Sequence, residues 1–214
     1  YIAYLGLVGR VLLTGYERII FKQVGTGSGS AESVFLIFTT GTLLLAPFAF
    51  FVEWPADWSF LWIAALASLA YAVQTVFYIK SLSNGEASLV APLYYFSVFF
   101  LLALSVMFLG ESFGLAKLAG LVMLVYGASF LHKKQSILHS LAALATDRAC
   151  QFMIISSVLV ALGRTLDAFM MRSVHPMVYT LALCFFTDLY IFIWLALTGK
   201  LGSARKMFRN KLKA

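Results

Sequence analysis

The chain has 214 residues, of which 62% are hydrophobic and only 12% charged, with a formal net charge of +7. That charged share is about half of the soluble average, and a water-soluble domain of this size could not hide so much apolar surface. The basic residues lie in loops between apolar runs, which points to anionic lipid headgroups and away from nucleic acid.

A bilayer core needs roughly 20 apolar residues per helix. Runs of that kind fall at about 1–21, 33–52, 58–79, 87–109, 113–131, 150–171 and 176–198. After the first comes a flexible loop, Gly25-Thr26-Gly27-Ser28-Gly29-Ser30. The second ends in Glu53-Trp54-Pro55-Ala56-Asp57-Trp58, a turn with both Trp residues where an interfacial belt would lie. Ser83-Asn84-Gly85-Glu86 separates spans three and four, and Gly110-Glu111-Ser112 separates four and five. A polar linker follows, then two more spans and a basic tail from Gly199.

The runs are apolar all round, whereas strands of a barrel would alternate. Backbone groups in hydrocarbon must bond internally, so the runs are read as helices. The fold class expected is an all-α, polytopic membrane bundle. Pro47 and Pro92 fall inside spans two and four, each a place for a kink. Cys150 and Cys184 show no metal or redox spacing and read as free thiols.

After spans one, three, five and seven lie Lys22, Lys80, Lys133, Lys134, Arg148, Lys200, Arg205, Lys206, Arg209, Lys211 and Lys213. After the even spans lie only Lys117 and Arg172. The positive-inside rule then places the first set in the cytoplasm and the N-terminus outside.

Span one carries Gly9-Arg10-Val11-Leu12 and Arg18; span six carries Gly163-Arg164-Thr165-Leu166 and Arg172. The four identities share an offset of 154 residues. Five spans separate the copies, so the second enters the membrane from the opposite side. Inverted repeats of this kind recur in secondary transporters, with the substrate site near the midplane.

The stretch Ser83-Asn84-Gly85-Glu86-Ala87-Ser88-Leu89-Val90-Ala91-Pro92, continuing to Phe108-Leu109-Gly110-Glu111, resembles the EamA domain of the drug/metabolite transporter superfamily. So does Leu118-Ala119-Gly120-Leu121-Val122-Met123-Leu124-Val125-Tyr126-Gly127. Leu166-Asp167-Ala168 and Pro176-Met177-Val178-Tyr179-Thr180 look like the start of a second repeat. The resemblance implies ten spans in two inverted five-helix repeats, with about seven present and both chain ends reading as truncation points. Residues 1–131 would form the first repeat, 132–149 a polar linker, 150–198 the first two helices of the second, and 199–214 a basic loop or tail. It also implies a cytoplasmic N-terminus, the reverse of the reading from loop charge.

Charge inside a membrane costs ~2.5–3.5 kcal/mol per residue at a helix centre and usually faces a protein interior or a watery cavity. Arg10 and Arg164 offer fixed forks of donors for a carboxylate or phosphate, one from each half. The structural alternative is pairing, Arg164 with Asp167 and Arg10 with Glu17, each on one helix face. Gln74, Tyr78, Tyr94 and Tyr95, with Tyr71 and Ser97, bring polar groups into spans three and four, as a small-molecule site requires. They also suit interfacial anchoring or helix–helix hydrogen bonding. Glu17, Asp167 and Asp188 are the candidate ion-coupling carboxylates, although Glu17 can also pair with Arg18 or Lys22.

The expected activity is secondary transport of a small metabolite or drug-like solute, with an anionic substrate preferred, in a plasma (bacterial inner) membrane. The alternatives are a non-transporting scaffold or receptor, and an intramembrane enzyme. An enzyme is disfavoured, because Ser28 and Ser30 lie in a loop and His132, His139 and His175 lie at span ends or in loops. There is no His-Glu-x-x-His helix and no Walker A loop. No cofactor or metal is expected; the bilayer and a solute are the expected partners, and a homodimer stays open.

Overall fold

The computed structural model describes residues 8–9, 29–85, 90, 93–110, 114, 115, 117, 119, 120, 122, 123, 126 and 147–204. Its helices are α1 (Ser30–Leu45), α2 (Phe60–Asn84), α3 (Phe96–Leu109), α4 (Arg148–Met170) and α5 (Pro176–Leu197). No strand occurs among the described residues. Ser30–Phe51, Phe60–Asn84, Arg148–Met170 and Pro176–Leu197 are long and apolar enough to cross a membrane, and Phe96–Leu109 is a shorter apolar helix. The chain is a polytopic helical membrane protein. Expected spans one and five, the linker up to residue 146 and the tail beyond residue 204 lie wholly or mostly outside the described residues.

Local chemistry sets the helix ends. The Asp147 carboxylate caps α4 by accepting from the Ala149 amide at 3.0 Å. At α5, His175 Nδ1 accepts from the Met177 amide at 3.2 Å, and Pro176 occupies the first turn, where its missing N–H costs nothing. Gly110 ends α3 at φ 65°, the left-handed cap that glycine adopts without strain. Between α1 and α2, Trp54 and Trp58 stack at 5.6 Å, and the Trp54 indole N–H donates to the Ala49 carbonyl at 3.0 Å. Ser59 donates to Asp57 through its hydroxyl and its amide, which holds that exposed carboxyl below its ordinary range.

Two expected spans come out differently in detail. In span two, the α-helix stops at Leu45 and Ala46–Phe51 continues as a 3-10 helix. Pro47 cannot donate back to the helix, so the tighter winding starts there. Within expected span four, 87–109, residues 90 and 93 are helical, Tyr94 and Tyr95 form a turn, and α3 runs on from Phe96. The Ser97 and Val98 amides donate to the Tyr94 and Tyr95 carbonyls, one residue short of α-helical spacing. Ser157 of α4 packs against this turn. Its hydroxyl lies 3.2 Å from the Leu93 carbonyl and 3.4 Å from that of Tyr94, while also reaching Met153 of its own helix at 2.9 Å. Irregular backbone at membrane depth survives when a neighbouring helix re-satisfies it.

Helix α2 is central, packing on α4, α5 and α1. Ala64, Ala67, Ser68, Ala72, Thr75 and Ser81 form its buried small-residue face. Small side chains let backbones approach where no hydrophobic effect drives helices together. The Ser81 hydroxyl donates to the Ala149 carbonyl at 2.6 Å, and Ser68 donates to the Leu183 carbonyl at 3.1 Å.

The packing fixes the helix directions. One apolar cluster joins Val34, Tyr78, Ile79, Leu82, Val90, Ala149, Met153, Ile191 and Leu195. The other joins Phe60, Ala64, Ala67, Met170, Val174, Val178 and Leu183. Helix α4 therefore runs antiparallel to α2, and α5 runs parallel to it. Helix α3 runs parallel to α4, since Leu93 and Tyr94 meet Ser157 while Ser105 and Leu109 share a cavity with Arg164 and Ala168. Gly110 thus closes α3 at one end of the bundle and Asp147 opens α4 at the other. Between them, residues 115, 117, 119, 120, 122, 123 and 126 are helical.

Candidate functional site

Asp167 sits where three helices meet. Tyr71 of α2 donates its hydroxyl to Asp167 Oδ2 at 2.5 Å, and Tyr179 of α5 donates to Oδ1 at 3.1 Å. One turn earlier on the same face of α4 is Gly163. A Cβ there would stand 2.7 Å from Tyr71 Cζ, so the glycine is what lets the ring lie on the α4 backbone. Both carboxylate oxygens are thus taken by phenols, and among the described residues Asp167 forms no ion pair with Arg164. The guanidinium still acts electrostatically on Asp167 and Tyr71.

Arg164 instead lines a cavity of about 430 Å³ between α3, α4 and the helical residues Lys117 and Gly120. Val98, Leu101, Leu102 and Leu109 supply apolar wall, and Ser105 and Thr165 supply hydroxyls. The hydroxyls are committed locally, Ser105 to the Leu102 carbonyl at 3.0 Å and Thr165 to the Ala161 carbonyl at 2.9 Å. The cavity can therefore offer positive charge and apolar contact.

The aromatic and amide residues fall elsewhere. Gln74 is buried between α2 and α4, where its amide N–H donates to Ser156 Oγ at 3.0 Å and its carbonyl accepts from Thr75 at 3.0 Å. In this state it bonds helix to helix. Gln74→Leu is expected to orphan the Ser156 hydroxyl and lower stability by about 1–2 kcal/mol. Thermal unfolding in detergent checks this, and an unchanged midpoint would remove the amide from the packing. Tyr78 and Tyr94 meet edge to face at 5.1 Å beside the turn that opens α3, and Tyr95 is exposed.

Asp188 lies on α5 facing α1, where Thr39 donates to its Oδ1 at 2.8 Å. The Asp188 carboxyl acts electrostatically on Cys184, one turn earlier. Gly41 opens α1 beside Cys184, whose Sγ would lie 3.9 Å from a Cβ there. Asp188 is thus held by one hydroxyl and Asp167 by two. Arg10 and Glu17 lie outside the described residues. Tyr179 and Gly163 belong to the Asp167 cluster although sequence reasoning gave them no role. The four-residue spacing of Gly163 and Asp167 was the available signal. Among the described residues, no three His, Cys, Asp or Glu side chains come together as a metal site.

Comparison with known proteins gives one match. The model of the EamA-like transporter family matches residues 1–132, more than half of the chain. No curated protein and no solved structure matches.

Proposed function

Because the chain belongs to the EamA-like transporter family, we propose that it works as a secondary transporter, moving a small solute across a plasma membrane by alternating access. The observation that carries this reading is the family match over residues 1–132, beside the parallel course of α3 and α4. The Gly9-Arg10 and Gly163-Arg164 motifs would be the matching positions of two inverted repeats. Two similar halves of opposite direction can pack in two nearly equivalent ways, each open to one side.

Arg164, with Arg10 in the other copy, is the contact for an anionic group of the solute. Asp188 is the exchangeable carboxyl. It has one hydroxyl donor and no cation among the described residues, whereas Asp167 is tied to two phenols. Glu17 is the remaining candidate for coupling; Gln74 would meet solute only in a state that opens the α2–α4 seam, and Tyr78, Tyr94 and Tyr95, beside the turn that opens α3, are the other proposed contacts. The charge-rich end, with Arg148 and Lys200, faces the cytoplasm by the positive-inside rule.

The test is uptake of a panel of small organic acids into proteoliposomes under imposed pH and sodium gradients. Arg164→Gln should lower uptake by about tenfold or more, the worth of one charge-assisted hydrogen bond. Asp188→Asn should abolish gradient-driven accumulation while leaving solute exchange. Absence of uptake for every acid under either gradient, from correctly folded protein, would sink the reading.

A further inference from the structure

We propose that the outward groove between α2 and α5 is a seat for an anionic phospholipid, with one acyl chain in the groove and the phosphate held by Lys80. Such a seat would exist whether or not the chain moves a solute.

The groove has a volume of about 280 Å³. Leu69, Val73 and Phe77 of α2 form one wall, and Tyr190 and Trp194 of α5 form the other, over Ala72. Leu69, Val73 and Trp194 are exposed, so the groove opens away from the bundle. In a membrane such a surface meets either acyl chains or another helix. Helices dock closely where small residues let their backbones approach. Here the small residue, Ala72, is itself buried, and the walls are large side chains. They would hold a helix off, whereas a thin, flexible hydrocarbon chain fits between them.

Charge selects the headgroup. Phe77 of the groove wall stacks on Phe152 of α4 at 5.3 Å, and Lys80 Nζ lies over the Phe152 ring at 4.5 Å. Lys80 follows Phe77 by three residues, on the same face of α2 and nearer its end at Asn84. The aromatic pair thus fixes an exposed ammonium at one end of the groove. No carboxylate lines the groove among the described residues. A cation at the end of a hydrocarbon-lined channel complements a phosphate carried above an acyl chain. A zwitterionic lipid brings an ammonium of its own and gains less from Lys80.

Trp194 is the reporter. Trp54→Phe, Trp58→Phe and Trp62→Phe together leave it as the one tryptophan of the full chain. This protein is placed in phosphatidylcholine vesicles with increasing fractions of phosphatidylglycerol or phosphatidylcholine that carry brominated acyl chains, and fluorescence quenching is measured. Brominated phosphatidylglycerol is expected to occupy the groove about fivefold more readily than brominated phosphatidylcholine. Lys80→Gln should abolish that preference and leave quenching by phosphatidylcholine unchanged, while Lys80→Arg should keep it. Phe152→Leu, which keeps the charge but removes the ring that places it, should weaken it. Arg172→Gln, at the opposite end of the bundle, should leave it whole. Raising the salt concentration should shrink the preference with Lys80 in place, which keeps the test open if Lys80→Gln does not fold. Equal quenching by the two lipids, a preference indifferent to salt, or an Arg172→Gln loss matching that of Lys80→Gln would overturn the proposal. Quenching by neither lipid would also overturn it, and would give the groove to a helix of a second copy or of another protein.

Discussion

Gly163→Ala is expected to destabilise the bundle by about 1–3 kcal/mol, the usual cost of overpacking. The added methyl carbon would stand 2.7 Å from Tyr71 Cζ and 2.9 Å from Cε2, well inside contact distance. A free ring would swing aside at little cost. This ring is anchored, because its hydroxyl donates to Asp167. Making room therefore means moving α4 away from α2 or breaking that hydrogen bond. A double-mutant cycle separates the clash from general loss of packing. In a Tyr71→Ala background the obstacle is gone, and Gly163→Ala should become neutral or slightly stabilising through its better helix propensity. Midpoints of denaturant or thermal unfolding, followed by circular dichroism, give the four corners. Additive effects would mean that the ring does not lie on Gly163.

Asp167→Ala is expected to cost more, about 2–5 kcal/mol. It strands two phenol hydroxyls at once, at about 1–3 kcal/mol for each orphaned donor. It also leaves Arg164 without the nearest negative charge. Tyr71→Phe and Tyr179→Phe each remove one donor and leave the carboxylate its other partner. Each should cost only about 0.6–2 kcal/mol, the range found for single hydrogen bonds between membrane helices. Asp167→Asn falls between, since its carbonyl still accepts from one phenol while its amide can donate to the oxygen of the other. The ranking is the test. If either phenylalanine variant alone matched Asp167→Ala, the carboxylate would not be the centre of the three-helix contact.

The spans were legible because hydrocarbon imposes one rule on every stretch of chain. Backbone groups must bond within the helix, and side chains must be apolar for its whole length. Expected spans 150–171 and 176–198 meet helices at Arg148–Met170 and Pro176–Leu197 for that reason. The turn at Tyr94 and Tyr95 was not legible. It depends on what the neighbouring helix presents, and Ser157, more than 60 residues away, brings its hydroxyl to the Leu93 and Tyr94 carbonyls.

The pairing of polar groups escaped the sequence for the same reason. Arg164 and Asp167, three residues apart on one helix, invite a local ion pair. The tertiary structure gives Asp167 to Tyr71 of α2 and Tyr179 of α5 instead. Gln74 reads as a site residue by composition and is found bonded to Ser156, while Asp188 finds Thr39 at 149 residues' separation. Composition and the length of apolar runs determined on their own that this chain is a membrane-embedded helical protein, because the solvent is common to all its helices. Only the tertiary structure decided which charges are satisfied and which face a cavity, because a polar group in hydrocarbon takes whatever partner the neighbouring helix presents, and no spacing within one helix records that choice.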